Sequence, residues 1–286
     1  MINSLFMKMI DDPQKRVIMV IGASDSGKTS IVWSIARSLC ERYKTAIVDL
    51  DMGQSHIGPP TTIAWAMMEK HIADWSGMEM RDFYFAGSVT PFGNLLPAIT
   101  GARLITEKAL NSAERVVIDT TGLISEPVGR ILKHHKIDIL EPDIILAVQT
   151  SQELSRIIDP LRFNERPEII RIPVPSGVRI KTQVKRAGYR VERMMCYLKE
   201  AEIISLRDDR VCTRFTRNPL RSKGEFINRV VSMRNSLNKD IAIGIIKDMT
   251  LGNINILTPL KDLRDVSSIV IGKTLFNMEE KTLKDL

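Results

Sequence analysis

The sequence predicts an α/β fold, with a mostly parallel sheet flanked by helices and a small C-terminal β-rich domain. Short, almost continuously apolar runs alternate with segments of helical spacing through residues 16–149. A glycine-rich loop joins the first run to the first helix, and from about Asp208 the pattern changes to β-hairpins. Strands that are apolar on both faces are typical of parallel sheets covered by helices. We therefore divide the chain into residues 1–207 and residues 208–286.

The individual elements follow from local patterns along the chain. Strands are predicted at residues 16–21, 45–50, 82–86, 115–119 and 142–149, and helices at residues 27–42 and 95–113. In the C-terminal region, residues 241–249 and 254–257 flank a turn that contains Gly252 and Asn253, which predicts a hairpin. A further strand is predicted at residues 267–276.

Composition restricts the class of protein. Of the 286 residues, 44% are hydrophobic and 26% are charged, which is ordinary for a globular chain with a core. The net charge of +7 favours a polyanionic partner without establishing one. Three distant cysteines without a Cys-x-x-Cys pair argue against a disulfide framework or a zinc ribbon. Because neither a membrane span nor a signal peptide is recognisable, we expect a cytoplasmic protein without membrane contact.

Residues 22–29 read Gly-Ala-Ser-Asp-Ser-Gly-Lys-Thr and match the pattern G-x-x-x-x-G-K-[ST] at every fixed position. In this pattern backbone N–H groups surround phosphate oxygens at the start of a helix, a lysine reaches the β- and γ-phosphates and a hydroxyl binds Mg²⁺. The strand before the loop and the helix after it disfavour a chance match. The sequence thus predicts a P-loop NTPase that binds ATP or GTP with Mg²⁺. The predicted nucleotide contacts are Gly22, Ala23, Ser24, Asp25, Ser26, Gly27, Lys28, Thr29 and Ser30.

Acidic residues follow two later strands. Asp49 and Asp51 stand one residue apart after the second strand, and Asp119 ends a later strand ahead of a Thr-Thr-Gly turn. The carboxyl ends of parallel strands face the ligand crevice, so these carboxylates should point at the phosphates. Two neighbouring acids suit the orientation of metal-bound water and the acceptance of a proton from a nucleophile. The alternative for Asp49 and Asp51 is a turn that only caps a helix.

A basic segment covers about residues 177–193, with Glu192 as its only acid. Arg186 and Arg190 are four residues apart and would share one face of a helix. Two guanidiniums on one face can cover a triphosphate and stabilise charge on a transferring phosphoryl group. The alternative is a solvated basic face or a nonspecific RNA contact. The segment also contains Arg179, Lys181, Lys185 and Arg193.

In their order along the chain, these motifs resemble those of the polynucleotide 5′-hydroxyl kinases. That family includes the kinase subunit of the eukaryotic pre-mRNA cleavage machinery, the nucleolar pre-ribosomal-RNA kinase and archaeal RNA kinases. The resemblance covers about residues 16–275, and Asp-x-Asp-x-Gly-Gln at residues 49–54 is its most specific part. It implies transfer of a γ-phosphoryl group to the 5′-hydroxyl end of a nucleic acid, with RNA favoured over DNA.

The resemblance also implies roles for single residues. Asp51 would take the proton from the 5′-hydroxyl, with Gln54 in support. A turn called the clasp would hold the P-loop lysine, and a pair of arginines would form a lid. The implied catalytic residues are Lys28, Asp51, Arg186 and Arg190, the implied metal ligands are Thr29, Asp49 and Asp119, and the clasp is Thr120, Thr121 and Gly122. The chain departs from the family at Leu123, where an aromatic residue usually ends the clasp, and at Gly188 between the lid arginines.

Two other functions remain open from the sequence. A partitioning or metal-insertion ATPase shares the P-loop and the strand-end acids, but it usually carries an additional lysine early in the loop. Here that position lies in Gly-Ala-Ser-Asp, residues 22–25, without a lysine. A nucleotide-bound scaffold without catalysis is the other possibility, and retention of Lys28, Asp51 and both lid arginines favours an enzyme over it. The sequence does not indicate whether a protein partner is required.

Overall fold

The computed structural model describes residues 9–212, 223–250 and 252–286. Within these ranges the helices are α1 (Lys28–Leu39), α2 (Leu95–Leu110), α3 (Val128–Leu140), α4 (Ser155–Ile158) and α5 (Gln183–Tyr197), with 3₁₀ turns at Trp75–Gly77, Asp159–Leu161, Asp208–Arg210 and Lys223–Phe226. None of the helices in these ranges is long and apolar enough to cross a membrane.

Fourteen strands are described, and they fall into two sheets. The strands of the first sheet are β1 (Val17–Gly22), β2 (Thr45–Asp49), β3 (Thr62–Met68), β4 (Met80–Phe85), β5 (Arg115–Asp119), β6 (Ile144–Gln149) and β7 (Glu168–Pro173). The second sheet takes up β8 (Glu202–Arg207), β9 (Val211–Cys212), β10 (Arg229–Arg234), β11 (Asp240–Thr250), β12 (Asn253–Thr258), β13 (Ser268–Asn277) and β14 (Thr282–Asp285).

The first sheet has the order β4-β3-β2-β5-β1-β6-β7. Five neighbouring strands of this sheet are parallel, which confirms the predicted mostly parallel sheet. In order across the sheet they are β2, β5, β1, β6 and β7. The register pairs Asp49 of β2 directly with Asp119 of β5, and Val20 of β1 pairs with Asp119 on the other side. This register brings the ends of the three central strands, and the acids on them, to one place.

The edge formed by β3 and β4 differs from the prediction. Strand β3 was not predicted, and both β3 and β4 run antiparallel to their neighbours. A parallel return requires a long crossover that usually contains a helix. The connection from β2 to β3 spans only residues 50–61 and contains no helix, so the chain turns back instead. The apolar run at Thr62–Met68, with Trp65 and β-branched residues, was the available signal for β3.

The core lies on both faces of the first sheet. Alternate side chains of β1 face opposite ways, so Ile18 and Val20 pack on one side while Met19 and Ile21 pack on the other. Helix α1 covers the first face because its apolar residues recur at helical spacing, and α2 and α3 cover the second face. The buried residues of α1 are Lys28, Ile31, Val32, Ile35, Ala36 and Leu39.

The second sheet is antiparallel in the order β14-β13-β10-β11-β12-β8, with β9 added in parallel beside β13. The predicted hairpin is present as β11 and β12, and the strand predicted at residues 267–276 is β13. Strand β8 belongs to this sheet although the sequence-based division placed residues 202–207 in the first region. The sequence pattern indicated three of the seven described strands of this sheet, and it missed β8, β9, β10 and β14.

Two carboxylates of the second sheet bond to the end of β4 and to the loop that follows it. Asp240 forms a buried ion pair with Arg234, at 2.6 Å between Asp240 Oδ1 and Arg234 Nε, and accepts the backbone N–H of Phe85 at 2.9 Å. Asp285 of β14 accepts from the Ser88 hydroxyl at 2.6 Å and from the Val89 N–H. These contacts fix the loop after β4 against the second sheet.

We predict that Asp240→Ala lowers the free energy of unfolding by about 3–5 kcal/mol, because it leaves the buried Arg234 guanidinium without its counter-charge. Urea denaturation followed by circular dichroism measures the change. The matched control is Asp262→Ala, which removes an exposed carboxylate paired with the exposed Arg264 and should change the midpoint little. Equal stability of the two variants would contradict the role of the Asp240 pair.

Candidate active site

A cavity of about 1510 Å³ opens at the carboxyl ends of β1, β2 and β5. Its walls come from the P-loop, the loop after β2, the loop after β4, the turn after β5 and the start of α5. Most of the predicted site residues line it. They are Ser24, Asp25, Gly27, Lys28, Thr29, Ser30, Asp51, Gln54, Thr120, Thr121, Gly122, Arg186 and Arg190. Of the other predicted residues, Gly22, Ala23, Ser26, Asp49 and Asp119 are outside this lining.

The P-loop conformation requires glycine at two positions. Gly27 precedes α1 with φ of 85°, a left-handed conformation that L side chains rarely adopt. At Gly22 an added Cβ would lie 2.6 Å from Val148 O and 2.7 Å from the Ser26 hydroxyl. The loop can therefore curl tightly at the end of β1 and present its backbone to the cavity.

Lys28 is 7% exposed, and its Nζ donates to Ala23 O at 2.5 Å. Burial lowers the pKa of the Lys28 ammonium, and the carboxylates of Asp119, Asp51 and Asp25 oppose this shift. The ammonium is therefore held in a site with little water, where its attraction to an anion is strong. These properties suit a cation that contacts the transferring phosphate.

Thr29 and Asp119 form an arrangement that fits Mg²⁺. The Thr29 hydroxyl donates to Asp119 Oδ2 at 2.6 Å, while Asp119 Oδ1 is buried and has no hydrogen-bond partner among the described residues. Burial raises the pKa of Asp119, and the nearby Lys28 opposes that shift. The described ranges contain no group of three His, Cys, Asp or Glu side chains able to hold a metal. A magnesium ion here would take its other ligands from phosphates and water, which is its usual behaviour.

Asp49 holds the loop that follows β2. Its Oδ1 accepts from Asp51 N at 3.0 Å, and its Oδ2 accepts from the Ser55 hydroxyl at 3.1 Å and His56 N at 2.7 Å. Burial, together with the charges of Asp119 and Asp51, raises the pKa of Asp49 to about 7. Both oxygens therefore accept hydrogen bonds within this loop, and Asp49 is not among the residues that line the cavity.

Asp51 is oriented by the loop but keeps one oxygen available. Its Oδ1 accepts from the backbone N–H groups of Gly53 and Gln54, each at 3.0 Å. No donor in the described part of the chain reaches Oδ2. Gly53 lies against Val89 O and leaves no room for a side chain. A carboxylate fixed through one oxygen on a cavity wall can accept a proton with the other.

The clasp contacts the P-loop through its backbone. The Thr120 hydroxyl donates to Val20 O at 2.7 Å, which ties the turn to β1. At Gly122 an added Cβ would lie 2.5 Å from Ser24 N and 2.6 Å from Ser24 Cα. Lys28 bonds to Ala23 rather than to the clasp, so the implied hold on the lysine is not present in this state. Leu123 packs against the core beside the turn.

Helix α5 carries the predicted lid arginines. Thr182 caps its start, because the Thr182 hydroxyl accepts from Lys185 N at 3.2 Å. Arg186 forms an ion pair with Asp25 of the P-loop at 2.5 Å, and Lys181 N donates to the same carboxylate oxygen. Gln54 Nε2 donates to Arg186 O at 3.1 Å. The start of α5 therefore lies against the P-loop, with one of the two predicted lid arginines paired to an acid of that loop.

Arg190 has a different environment from Arg186. Its Nε is buried without a hydrogen-bond partner in the ranges that the structure describes, and its side chain lines the cavity. Burial lowers the pKa of Arg190, while Asp285 and Asp51 raise it. Arg190 is therefore the lid arginine with unused hydrogen-bonding capacity beside the cavity.

Three further residues dock the lid, and sequence reasoning assigned them no role. The Tyr189 hydroxyl donates to Ser55 O at 3.0 Å, and Arg193 donates to His56 O at 3.0 Å. The His56 ring lies between Trp75 and Tyr189, with ring centroids 5.0 and 5.6 Å away. Burial lowers the pKa of His56 to about 4, so it stays neutral. The sequence did contain a signal for Tyr189 and Arg193. Their spacing from Arg186 and Arg190 places all four residues on one face of the helix.

Comparison with known proteins finds relatives of this arrangement. A family model described as mRNA cleavage and polyadenylation factor CLP1 P-loop matches residues 22–200. A polyribonucleotide 5′-hydroxyl-kinase of Methanocaldococcus jannaschii is 34% identical over 202 residues, which cover 70% of this chain and 55% of that protein. One of Pyrococcus furiosus is 36% identical over 189 residues, covering 66% of this chain and 52% of that protein. The chain therefore spans about half the length of these curated relatives.

A solved structure supports the fold. The structure of the wild-type Clp1p–Pcf11p complex aligns with a TM-score of 0.73 at 13% identity, over 95% of this chain and 77% of the matched chain. At this identity the likeness concerns the fold alone. It confirms the predicted P-loop NTPase sheet with an additional β-rich region.

We predict that Gly122→Ala weakens binding of Mg²⁺-nucleotide by about tenfold or more, because the new methyl group must displace Ser24 of the P-loop. Isothermal titration with a non-hydrolysable ATP analogue measures the affinity. The matched control is Gly188→Ala in the lid helix, where an added Cβ meets no atom within 4 Å, and its affinity should equal that of the wild type. Unchanged affinity in Gly122→Ala would show that the clasp does not set the P-loop.

Proposed function

The chain belongs to the family described as mRNA cleavage and polyadenylation factor CLP1 P-loop, and from this premise we propose that it is a polynucleotide 5′-hydroxyl kinase. Membership makes it a nucleotide-binding protein of the P-loop class. The proposed reaction transfers the γ-phosphoryl of ATP or GTP to the 5′-hydroxyl end of RNA. Proteins similar to it in two archaea are named polyribonucleotide 5′-hydroxyl-kinases. Reaction and substrate are proposals because the chain spans about half of those relatives.

One observation carries the proposal: a carboxylate with an unused oxygen shares the cavity with the P-loop lysine. Asp51 lies close enough to Lys28 for its charge to raise the pKa of the ammonium, and both side chains line the same space. A protein that only binds nucleotide has no need of a proton acceptor beside the γ-phosphate. A kinase needs one to activate the acceptor hydroxyl.

The proposed mechanism assigns a role to each wall of the cavity. The 5′-hydroxyl lies between Asp51 and the γ-phosphate, and Asp51 takes its proton as the oxygen attacks phosphorus. The bond from the γ-phosphorus to the β,γ-bridging oxygen breaks, which gives a 5′-phosphate end and a nucleoside diphosphate. Lys28 and Arg190 stabilise the charge that moves to the phosphoryl oxygens and the leaving group.

We propose that Thr29 and Asp119 hold Mg²⁺, which when bound would neutralise charge on the β- and γ-phosphates. The unpartnered Asp119 Oδ1 beside the Thr29 hydroxyl supports this assignment. Asp49 then acts mainly by holding the loop beside the metal site, because it accepts hydrogen bonds from Asp51, Ser55 and His56. Gln54 contributes by joining that loop to the lid.

The direct test is transfer of label from γ-labelled ATP to matched RNA and DNA oligonucleotides that end in a 5′-hydroxyl or a 5′-phosphate. We expect label only on the 5′-hydroxyl ends. Asp51→Asn should lower kcat by about 10²–10⁴-fold with little change in nucleotide affinity, since it removes the proton acceptor and keeps the shape. Asp82→Asn changes a carboxylate outside the cavity that pairs with Lys108 and should leave kcat unchanged.

Two results would contradict the proposed function. One is a folded, nucleotide-binding wild-type protein that labels no 5′-hydroxyl end of either nucleic acid. The other is an Asp51→Asn variant that transfers label at the wild-type rate, because the reaction would then proceed without the proposed base.

The two lid arginines should differ in kinetics. We predict that Arg190→Ala lowers kcat by about 10²-fold or more, because its guanidinium meets the phosphoryl group in the transition state. Arg186→Ala should raise the KM for ATP more than it lowers kcat, since Arg186 holds the lid to Asp25. Arg190→Lys should restore little, because an ammonium cannot form the same bidentate contact. Steady-state kinetics on each variant provides the measurement.

Arg130→Ala serves as the control for loss of a guanidinium, since Arg130 pairs with Glu126 on the partly exposed side of α3. The control should match the wild type in both kcat and KM. If Arg190→Ala changed only the KM for RNA and lysine restored it, Arg190 would be an RNA-binding residue and not part of the lid on the phosphoryl group.

A further inference from the structure

Helix α3 carries two lysines that are completely buried. Lys133 and Lys136 are each 0% exposed, although lysine is among the residues least often buried. Their positions alternate with Leu132, Ile137 and Leu140 on the inner face of the helix. Taking an amine out of water is costly unless it gains hydrogen bonds, so the partners of each lysine indicate what it does.

Lys133 has two partners, and both belong to the clasp. Its Nζ donates to the Thr120 hydroxyl oxygen at 2.9 Å and to Thr121 O at 2.6 Å. The Thr120 proton is used on Val20 O, so the hydroxyl oxygen is free to accept. Two acceptors match the two N–H groups of even an uncharged amine. Burial lowers the pKa of Lys133 well below its ordinary value, and the hydrogen bonds hold in either protonation state.

Lys136 lies one helical turn further and has no such partners. Its Nζ is buried without a hydrogen bond to any described residue. Burial lowers the pKa of Lys136 to about 8, against the charges of Asp51 and Asp49. The two lysines therefore share a helix, a degree of burial and the influence of Asp51, and they differ in contact with the clasp.

The clasp connects Lys133 to the phosphate-binding loop. Lys133 fixes Thr120 and Thr121 from behind, and the next residue, Gly122, lies against Ser24 of the P-loop. The backbone N–H groups of that loop are the groups that surround phosphate oxygens. A clasp released from Lys133 would be free to shift relative to Ser24.

We propose that Lys133 is a positioning residue for the nucleotide, which sets the P-loop by holding the clasp against it. Its effect on turnover rests on the proposed kinase function, whereas its effect on nucleotide affinity does not. The competing explanation is that Lys133 acts only as a positive charge near the carboxylates of the site. Lys136 separates the two explanations because it is also a buried amine on α3 under the influence of Asp51, but it does not touch the clasp.

The experiment compares Lys133→Met, Lys136→Met, Thr120→Val and the double variant Lys133→Met with Thr120→Val in the full chain. Affinity for Mg²⁺-ADP is measured by isothermal titration, and kcat and KM are measured by label transfer. We expect Lys133→Met to weaken nucleotide affinity by about 10- to 100-fold, the size expected for hydrogen bonds of this kind. The KM for ATP should rise while the KM for RNA stays unchanged. Lys136→Met should keep nucleotide affinity at the wild-type value.

The double variant tests whether Lys133 acts through Thr120. Because the two side chains share one hydrogen bond, the loss of affinity in the double variant should be smaller than the sum of the two single losses. The part of the Thr120→Val effect that remains belongs to the bond from Thr120 to Val20 O. Thr120→Ser keeps the hydroxyl and should restore affinity lost in Thr120→Val. If Lys133→Met shows no cooperative thermal transition, the Thr120→Val and Thr120→Ser pair decides the question in the presence of Lys133.

Two outcomes would overturn the proposal: wild-type affinity in Lys133→Met, or equal losses in the Lys133 and Lys136 variants. Each of these would show that nucleotide affinity does not depend on the bond between Lys133 and the clasp. A wild-type protein that binds ADP but labels no RNA would instead refute the proposed kinase function. The affinity comparison would still decide the role of Lys133.

Discussion

The register that pairs Asp49 of β2 with Asp119 of β5 is the constraint on which the rest of the site depends. It places two buried carboxylates side by side, with Asp51 two residues further on. Like charges in a space with little water repel strongly, so each must be compensated for the strands to pair. Three lysines, Lys28, Lys133 and Lys136, feel these acids and are themselves buried. The edge of the sheet therefore collects three carboxylates and three amines.

Each acid is compensated in a different way, and the differences produce distinct chemistry. Asp49 accepts hydrogen bonds through both oxygens from donors of its own loop, and so it holds that loop. Asp119 shares the Thr29 proton and keeps one oxygen without a partner. Asp51 is held through one oxygen by two backbone N–H groups. The same residue type thus supports a loop at Asp49, while the oxygens without donors at Asp119 and Asp51 suit the proposed metal contact and the proposed base, because the number of local donors differs.

Much of this was predictable from the sequence, because the P-loop, the strand-end acids and the parallel sheet depend on local spacing and on a general rule about strand ends. The apolar run of β3 was a signal that went unused, whereas its antiparallel direction depends on the lack of a crossover helix between β2 and β3. The pairing of Arg186 with Asp25 joins residues far apart in sequence, and no local pattern indicates it. Lys133 interrupts an apolar helix face, which is a visible signal, but its partners became known only from the packing of α3 behind the clasp.

The contacts that fix Ser88 and Val89 join residues much further apart in sequence than the contacts within the P-loop do. Within the P-loop, Lys28 bonds to Ala23, five residues away. The loop that contains Ser88 is fixed by Asp285, at a sequence separation of 197 residues from Ser88, and contacts between distant residues form slowly because a long loop must be closed first. A chain cleaved within the second sheet would therefore retain its phosphate-binding loop but lose the support of the loop beside Asp51. Limited proteolysis within the second sheet would therefore separate phosphate binding from the support of the loop beside Asp51.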